Sequence, residues 1–278
     1  MKDKSKDKKI SYIPGRGNLS VTVFIPSDCS NNCRFCTSKQ SYHERVSNLD
    51  SVLSSIRRFL KEDPLAEHVQ SFVITGGEPF ADLTILSKII KAVPHRYKIY
   101  VNTTLPTNRY DEKTLARYIN THRIDGLNIS RHCDTFEQDT LMFSKNIASD
   151  IFVEMVNCPV KINSVVNEDT NFAARLKRWK NYSNVYVSFR ADYRKVTRES
   201  LKDLSDPVIG AILEINKVKH VSHGGCDVCF DVSFRRKNQY FSYHKGLKHS
   251  SVPMGNNGEY LIVNDIIIKQ DGETSYDW

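Results

Sequence analysis

The chain has 278 residues and a formal net charge of +8. This length accommodates one large domain or two ordinary ones. No run of about 18 or more apolar residues appears, so we expect no transmembrane helix and no membrane partner. Segment 1–18 is polar and basic and lacks the apolar core of a secretory signal. These features predict a cytoplasmic protein whose positive charge favours anionic partners.

Short strand-like runs alternate with amphipathic helical runs from residue 20 onward. The predicted strands are 20–26, 70–75, 97–103, 125–130, 159–166 and 184–190. Between them, apolar residues repeat on one helical face at 49–60, 86–93 and 172–179. This alternation predicts a parallel sheet. A closed barrel takes about 31 residues per βα unit, so 20–217 hold about six. We predict an α/β fold, a partial (β/α)6 TIM-like barrel with a short C-terminal extension.

Composition suggests three segments. Residues 1–19 are predicted to be a solvated basic tail, and 20–217 the barrel domain. Residues 218–278 are rich in Gly, His, Lys and Tyr and end in the strand-like run EYLIVNDIIIKQ. We expect this last segment to be an extension that covers the barrel.

The last three predicted strands alternate apolar and polar residues. In 159–166, for example, Val160 and Ile162 alternate with Lys161 and Asn163. Because side chains change face at each residue of a strand, one face is apolar and suits packing against helices. The other face is polar, and in a curled sheet it would line a lumen. An antiparallel sheet with one wet face is the alternative, which the intervening helical runs disfavour.

Three of the seven cysteines stand in CSNNCRFC, residues 29–36, directly after the first predicted strand. An odd number of cysteines without an export signal argues for metal binding or reactive thiols in a reducing compartment. Thiolates ligate iron–sulfur clusters, and a cubane normally takes four. Three thiolates would leave one iron open for a substrate or cofactor. A structural zinc site would need a fourth ligand, for which His43 is the nearest candidate.

The spacing CxxxCxxC, with Phe35 before the last cysteine, resembles the motif of the radical S-adenosylmethionine (SAM) enzymes. The resemblance implies that Cys29, Cys33 and Cys36 are catalytic metal ligands that hold a [4Fe–4S] cluster, whose fourth iron is chelated by SAM. It also implies oxygen-sensitive chemistry: reductive cleavage of SAM to a 5′-deoxyadenosyl radical that abstracts hydrogen from a substrate. A flavodoxin- or ferredoxin-like reductant is the expected electron donor.

A second motif, TGGEPF, follows the second predicted strand. It resembles the GGEP segment of the same family, in which backbone and acid contact the amino group of SAM. Gly76 and Gly77 would allow close approach of the backbone, and the Glu78 carboxylate would complement an ammonium. The alternative is an ordinary glycine-rich turn.

Weaker matches to the same family extend along the chain. VNTTLP resembles a SAM-contacting segment but has Thr103 where glycine is usual. VKINSVVN resembles a strand of the viperins and of the molybdopterin-precursor GTP cyclases. The cofactor-binding residues that these resemblances imply, beside Phe35 and the GGE residues, are Asn102, Thr104, Ser130, Arg131 and Asn163.

Three cations come from neighbouring predicted strand ends, namely Lys161, Arg190 and Arg194. Together they would suit a small anionic, nucleotide-like substrate. Asp192 offers the alternative of an internal ion pair. Other functions left open are radical modification of a peptide, protein or tRNA, activation of a glycyl-radical partner, and a non-catalytic iron–sulfur sensor.

Two features of the C-terminal segment stay open. In HVSHGGCDVC, His220, His223, Cys226 and Cys229 are spaced three apart. They would form a zinc site or part of an auxiliary cluster, or else be core cysteines and surface histidines. The terminal Asp-Trp pair resembles the end of viperins, which implies recruitment of cluster-delivery machinery through Trp278. Packing of this tryptophan on the barrel is the alternative.

Overall fold

A computed structural model describes residues 11–15, 19–27, 29, 31, 33, 35–36, 45–143, 146–249, 251–254 and 260–276. The strands are β1 (Ser11–Pro14), β2 (Leu19–Ile25), β3 (Val69–Gly76), β4 (Lys98–Thr103), β5 (Gly126–Ser130), β6 (Val160–Val165), β7 (Val185–Arg190), β8 (Val218–Gly225), β9 (Cys229–Arg236), β10 (Gln239–Gly246), β11 (Ser251–Met254), β12 (Tyr260–Val263), β13 (Asp265–Ile268) and β14 (Thr274–Ser275). The helices are α1 (Leu49–Glu62), α2 (Leu83–Ala92), α3 (Glu112–Thr121), α4 (Phe136–Met142), α5 (Phe172–Trp179), α6 (Arg198–Leu201) and α7 (Pro207–Leu213).

One large sheet of eleven strands has the order β14-β13-β2-β3-β4-β5-β6-β7-β10-β9-β8. The run from β13 through β7 to β10 is parallel, and the remaining strands pair antiparallel at the two ends. All six strands predicted from 20 to 190 are present, in chain order and parallel. The sheet does not close, so the predicted partial α/β barrel is confirmed.

The C-terminal segment contributes strands to both ends of this sheet. Strand β10 pairs with β7 in parallel, and β13 pairs with β2 in parallel. The sequence predicted a covering extension, whereas here the segment lengthens the sheet itself. In the predicted tail, Ser11–Pro14 forms a strand that pairs with Tyr260–Val263 in a separate sheet of three strands. The segment boundaries at 19 and 217 remain predictions.

The core lies between one face of the sheet and the helices. Strand β6 shows the pattern most clearly, because Val160 and Ile162 are buried whereas Lys161 and Asn163 are only partly covered. Asn48 is the N-cap of helix α1, and its side chain accepts a hydrogen bond from the N–H of Ser51. The opposite face of β6 carries its polar side chains, as the alternation predicted. No helix in the described ranges combines the length and apolar character that a membrane span requires.

Candidate active site

A cavity of about 1400 Å³ lies at the carboxyl ends of the parallel strands. Single small-molecule sites typically measure about 300–1,000 Å³, so this cavity has room for two ligands side by side. Most of the residues predicted for the site line it, namely Cys29, Cys33, Phe35, Cys36, Gly76, Gly77, Glu78, Asn102, Thr104, Ser130, Asn163 and Arg190. The structure therefore brings together residues that are spread over 160 positions of the sequence.

The three cysteines of the loop after β2 all face this cavity. The N–H of Cys36 donates to the carbonyl of Cys33 over 3.2 Å, which makes a turn between them. Burial, with the neighbouring thiolates of Cys36 and Cys29 adding to it, raises the pKa of the Cys33 thiol to about 12. A bound metal would hold such thiols in the thiolate form.

The donor set fits a cubane better than a single ion. Among the described residues, no three His, Cys, Asp or Glu groups converge on one ion position. In a cubane each thiolate binds its own iron, so three thiolates need not converge on one point. Three soft sulfur donors around a cavity match that arrangement and leave one iron without a protein ligand.

Backbone geometry explains both glycines that follow β3. Gly76 has a φ of 102°, a value that L-residues rarely adopt. A Cβ on Gly77 would lie only 1.7 Å from the carbonyl oxygen of Ser27. Residues 76–77 thus pass directly against the start of the cysteine loop, where no side chain fits.

Glu78 is buried and uses its carboxylate inside the protein. One oxygen accepts hydrogen bonds from the Thr103 hydroxyl (2.5 Å) and the Phe80 N–H (3.2 Å). The other accepts from the N–H and hydroxyl of Thr104, at 2.9 and 2.7 Å. An ionised carboxylate offers about four lone-pair sites, so these four bonds occupy them.

Several polar groups on β4, β5 and β6 face the same space. Asn128 donates to the side-chain oxygen of Asn102 over 2.7 Å, and Asn31 of the cysteine loop donates to the Thr104 hydroxyl over 3.0 Å. Ser130 lines the cavity beside them. The side-chain oxygen of Asn163 is buried and accepts no hydrogen bond from the described residues. An unsatisfied buried acceptor in a cavity wall is a candidate ligand contact.

Arg131 is 2% exposed and does not line the cavity. Its guanidinium donates to the carbonyl oxygens of Thr104 (2.9 Å), Ser130 (2.8 Å) and Ala148 (2.7 Å). Burial lowers the pKa of Arg131 to about 10. Arg131 therefore fixes the loop after β4, because buried backbone carbonyls need donors, and its role at the cofactor stays a prediction.

Phe35 fixes the cysteine loop against the barrel. Its ring meets His132 edge-on, with 4.5 Å between centroids. His132 is buried, and its Nδ1 accepts a hydrogen bond from the N–H of Val165 over 3.0 Å. Burial and nearby arginines lower the pKa of His132 to about 3. The imidazole is thus neutral, as this acceptor role requires.

Lys161 and Arg190 lie on the polar face of β6 and β7. Arg190 lines the cavity of the cysteine loop, whereas Lys161 lines a second cavity at the amino end of the lumen, and the two cavities share Val73 and Asn128. Burial and the Arg190 charge lower the pKa of Lys161, and burial lowers that of Arg190. The opposing charge for both is Asp231 on β9.

Asp231 also pairs with His244 of β10, with 3.0 Å between its Oδ1 and Nδ1 of the imidazole. Burial would raise the pKa of Asp231, but the hydrogen bond from His244 and the neighbouring cations lower it. Burial and the Arg190 charge lower the pKa of His244. The Asp231 carboxylate therefore offsets the charges of Lys161 and Arg190. It also forms a hydrogen bond with the largely buried imidazole of His244. Sequence reasoning missed Asp231 and His244, although each stands in an alternating strand pattern.

Arg194 lies apart from Lys161 and Arg190, and its role in substrate binding stays a prediction. Its guanidinium donates to both carboxylate oxygens of Asp192, at 2.5–3.1 Å, and does not line the cavity. The side chain of Arg194 is half exposed. This is the internal ion pair named above as the alternative, so Arg194 does not join the cation pair in the lumen.

The remaining predicted residues fall into two groups. Cys226 and Cys229 line the cavity, whereas His220 and His223 are exposed on β8 and contact each other. No zinc-like group forms among these four within the described residues. His43 and Trp278 lie outside the described residues.

Comparison with known proteins supports the site. The family model of a 4Fe-4S single cluster domain matches residues 13–136. Streptococcus suis SuiB bound to the precursor peptide SuiA shares the fold with a TM-score of 0.56 at 13% identity, over 93% of this chain and 59% of SuiB. SuiB bound to S-adenosylmethionine gives a TM-score of 0.55 at 14% identity, over 93% and 60%. No curated protein matches the sequence.

The cluster-domain match spans the cysteine loop, and the likeness to SuiB shows a shared fold. In these two respects the chain resembles the radical SAM enzymes predicted from its sequence. It spans about 60% of the length of the SuiB chain that it matches. The viperin-like subgroup remains a prediction.

Proposed function

We propose that this protein is a radical SAM enzyme that acts on a small anionic, nucleotide-like substrate in the lumen of the partial barrel. When bound, the [4Fe–4S] cluster and SAM supply a 5′-deoxyadenosyl radical that abstracts hydrogen. Cys29, Cys33 and Cys36 would hold the cluster. This assignment rests on three thiols that face one cavity in a loop matched by a single-cluster family model.

The protein groups beside the cysteines would bind and orient SAM. Gly77 lets the loop after β3 lie directly against Ser27 at the start of the cysteine loop, which would keep the GGEP segment beside the bound cluster. The unsatisfied oxygen of Asn163 would accept one hydrogen bond from the ligand. Asn102, Thr104 and Ser130 offer further polar contacts along the same wall.

The substrate assignment rests on Lys161 and Arg190, which we call the cation pair. Lys161 and Arg190 are both partly buried, and Asp231 is the carboxylate that they share. Among the described residues, none accepts a hydrogen bond from the Arg190 guanidinium. A second anion would balance the charge and satisfy those donors. A phosphate or carboxylate of a substrate is such an anion, and Arg binds either in a bidentate manner.

The cofactor half of the proposal is tested without knowing the substrate. Anaerobically reconstituted protein should contain about four irons per chain and show the spectrum of a cubane. After reduction with dithionite it should convert SAM to 5′-deoxyadenosine and methionine. The matched control is the Cys29→Ala, Cys33→Ala, Cys36→Ala variant, which should lose both the iron and the cleavage. Full iron content in that variant would exclude the cluster assignment.

A peptide substrate is the second candidate, because SuiB, which shares the fold, was solved with a precursor peptide. The two candidates differ in the anion that would pair with Lys161 and Arg190, which is a phosphate in the first case and a peptide carboxylate in the second. If pyrophosphate and nucleoside triphosphates fail to bind the cluster-loaded protein while an acidic peptide binds, the peptide candidate replaces the nucleotide-like one. The flavodoxin- or ferredoxin-like reductant, the cytoplasmic location and cluster delivery through Trp278 stay parts of this proposal.

A further inference from the structure

Cys226 and Cys229 close the hairpin between β8 and β9. The last register pair of the two strands is Gly225 with Phe230, so the next opposed pair is Cys226 with Cys229. The N–H of Cys226 donates to the carbonyl of Cys229 over 2.9 Å, and only Asp227 and Val228 lie between them.

Directly opposed residues of antiparallel strands have Cα atoms about 4.5–5.5 Å apart. Disulfides need Cα atoms about 4.4–6.8 Å apart. The hairpin therefore places the Cα atoms of the two cysteines within the range that disulfides span. A Cβ on Gly225 would lie 2.1 Å from the carbonyl oxygen of Cys229. This close approach holds β8 against β9 at the turn and keeps Cys226 opposite Cys229.

The pair is also accessible and chemically asymmetric. Both residues line the cavity of the cysteine loop. On β9, Cys229 is two residues from Asp231 and so lies on the same face of the strand, and opposite it on β10 stands Gly246. The Cys229 thiol donates a hydrogen bond to the Cys226 sulfur and so lowers the pKa of Cys226 to about 7. Cys226 is thus partly thiolate at neutral pH.

We propose that Cys226 and Cys229 form a redox-active dithiol in the cavity wall, which exchanges two electrons with small or protein disulfides. The Cys226 thiolate attacks one sulfur of a disulfide RSSR and releases RS⁻. The Cys229 sulfur, after losing its proton to solvent, then attacks the Cys226 sulfur and releases the second RS⁻. The protein is oxidised to the 226–229 disulfide, and RSSR is reduced to two thiols. This site is independent of the cluster and of the proposed substrate.

The test uses the full chain, purified anaerobically with its cluster, in mixtures of reduced and oxidised dithiothreitol. After acid quenching and alkylation with N-ethylmaleimide, trypsin releases peptide 220–235, which holds both cysteines and no other. As the oxidised fraction rises, this peptide should change from doubly alkylated to unalkylated and lighter by two hydrogens. Peptides with Cys133 and Cys158, the internal controls, should stay fully alkylated over the same range.

Two variants sharpen the result. In Cys229→Ala the disulfide cannot form, and Cys226 should alkylate about tenfold more slowly at pH 7, because it loses its hydrogen-bond donor and its pKa returns toward the ordinary thiol value of about 8.5. In Cys226→Ser the peptide should remain singly alkylated at every ratio. Double alkylation of the wild-type peptide at every ratio would overturn the proposal. So would one equivalent of zinc or extra iron that is bound by the wild type and lost in Cys226→Ser.

Discussion

Glu78 and Thr104 join two loops of the site through a pair of hydrogen bonds, with the Thr104 N–H at 2.9 Å and its hydroxyl at 2.7 Å from the same carboxylate oxygen. Glu78 follows β3 and Thr104 follows β4, so this pair holds neighbouring strand ends in one arrangement. The Thr104 hydroxyl in turn accepts from Asn31 in the cysteine loop. The acid of the GGEP motif thereby positions the loop that carries the thiols.

Glu78→Gln should destabilise the protein by about 1–3 kcal/mol, because the amide NH2 would face donors in place of an acceptor. Chemical denaturation of the purified chain measures this loss. The control is Glu154→Gln, since Glu154 is exposed, and it should change the unfolding free energy by less than about 0.5 kcal/mol. Equal effects of the two substitutions on the free energy of unfolding would mean that the buried hydrogen bonds of Glu78 do not stabilise the fold.

Gly77→Ala should displace the loop after β3, because a methyl group at this position would lie 1.7 Å from the Ser27 carbonyl oxygen. We expect a loss of about 1–3 kcal/mol in stability and the loss of SAM binding, measured by calorimetry on cluster-loaded protein. Gly210→Ala in α7 is the matched control, because nothing lies within 4 Å of its added methyl. That variant should be more stable by about 0.5–1 kcal/mol and bind SAM normally.

Arg190→Gln should weaken binding of an anionic probe such as pyrophosphate or a nucleoside triphosphate. A charge-assisted hydrogen bond contributes about 1.5–3 kcal/mol, so we expect a roughly ten- to hundredfold loss of affinity. Arg194→Gln is the control, because this arginine does not line the cavity and is ion-paired with Asp192, and the affinity of this variant should stay within about twofold of the wild type. If Arg194→Gln loses more affinity than Arg190→Gln, the anion site lies elsewhere.

His132 should make the protein sensitive to acid. Its pKa is lowered to about 3 in the folded state against about 6.5 in an unfolded chain. Between these two pKa values the imidazole binds a proton in the unfolded state but not in the folded state. The contribution of His132 to the free energy of unfolding is therefore fully present above pH 6.5 and is lost as the pH falls toward 3. This group alone should contribute a slope of about 1.4 kcal/mol per pH unit in that window.

Denaturation curves from pH 7 to pH 5 measure this slope. His132→Asn keeps an acceptor for the Val165 N–H but cannot be protonated, so its slope should be shallower than that of the wild type by about one proton. Identical slopes in the wild type and in His132→Asn would rule out a buried neutral imidazole.

The sequence was sufficient for the six parallel strands and for the cysteine loop, because both are local signals. Alternation in 159–166 separates the core face of β6 from its lumen face, and three thiols within eight residues have few structural uses. The hydrogen-bond partners of Arg131 and Arg194 could not be predicted, for a shared reason. Each stands at a strand end, where cofactor or substrate contacts are common, but their partners are the Thr104 carbonyl and Asp192, which only the folded backbone reveals.

Asp231 and His244 could not be assigned from sequence because nothing local links β9 or β10 to β7. Only the register shows that His244 stands beside Arg190 on one side and Asp231 on the other. The dithiol had a local signal, CDVC, but its position in the cavity wall depends on the same long-range pairing.

Strand β13 pairs with β2, and the Ser20 and Thr22 hydroxyls donate to Asp265 across 245 and 243 positions of sequence. Such non-local pairing forms slowly, because the loop between the partners must close first. During synthesis, the thiols at 29–36 leave the ribosome long before β13, the strand whose Asp265 lines one side of their cavity. This order of synthesis favours insertion of the cluster after β13 has been made and has paired with β2. Iron delivered earlier would reach a chain in which this edge of β2 is still unpaired.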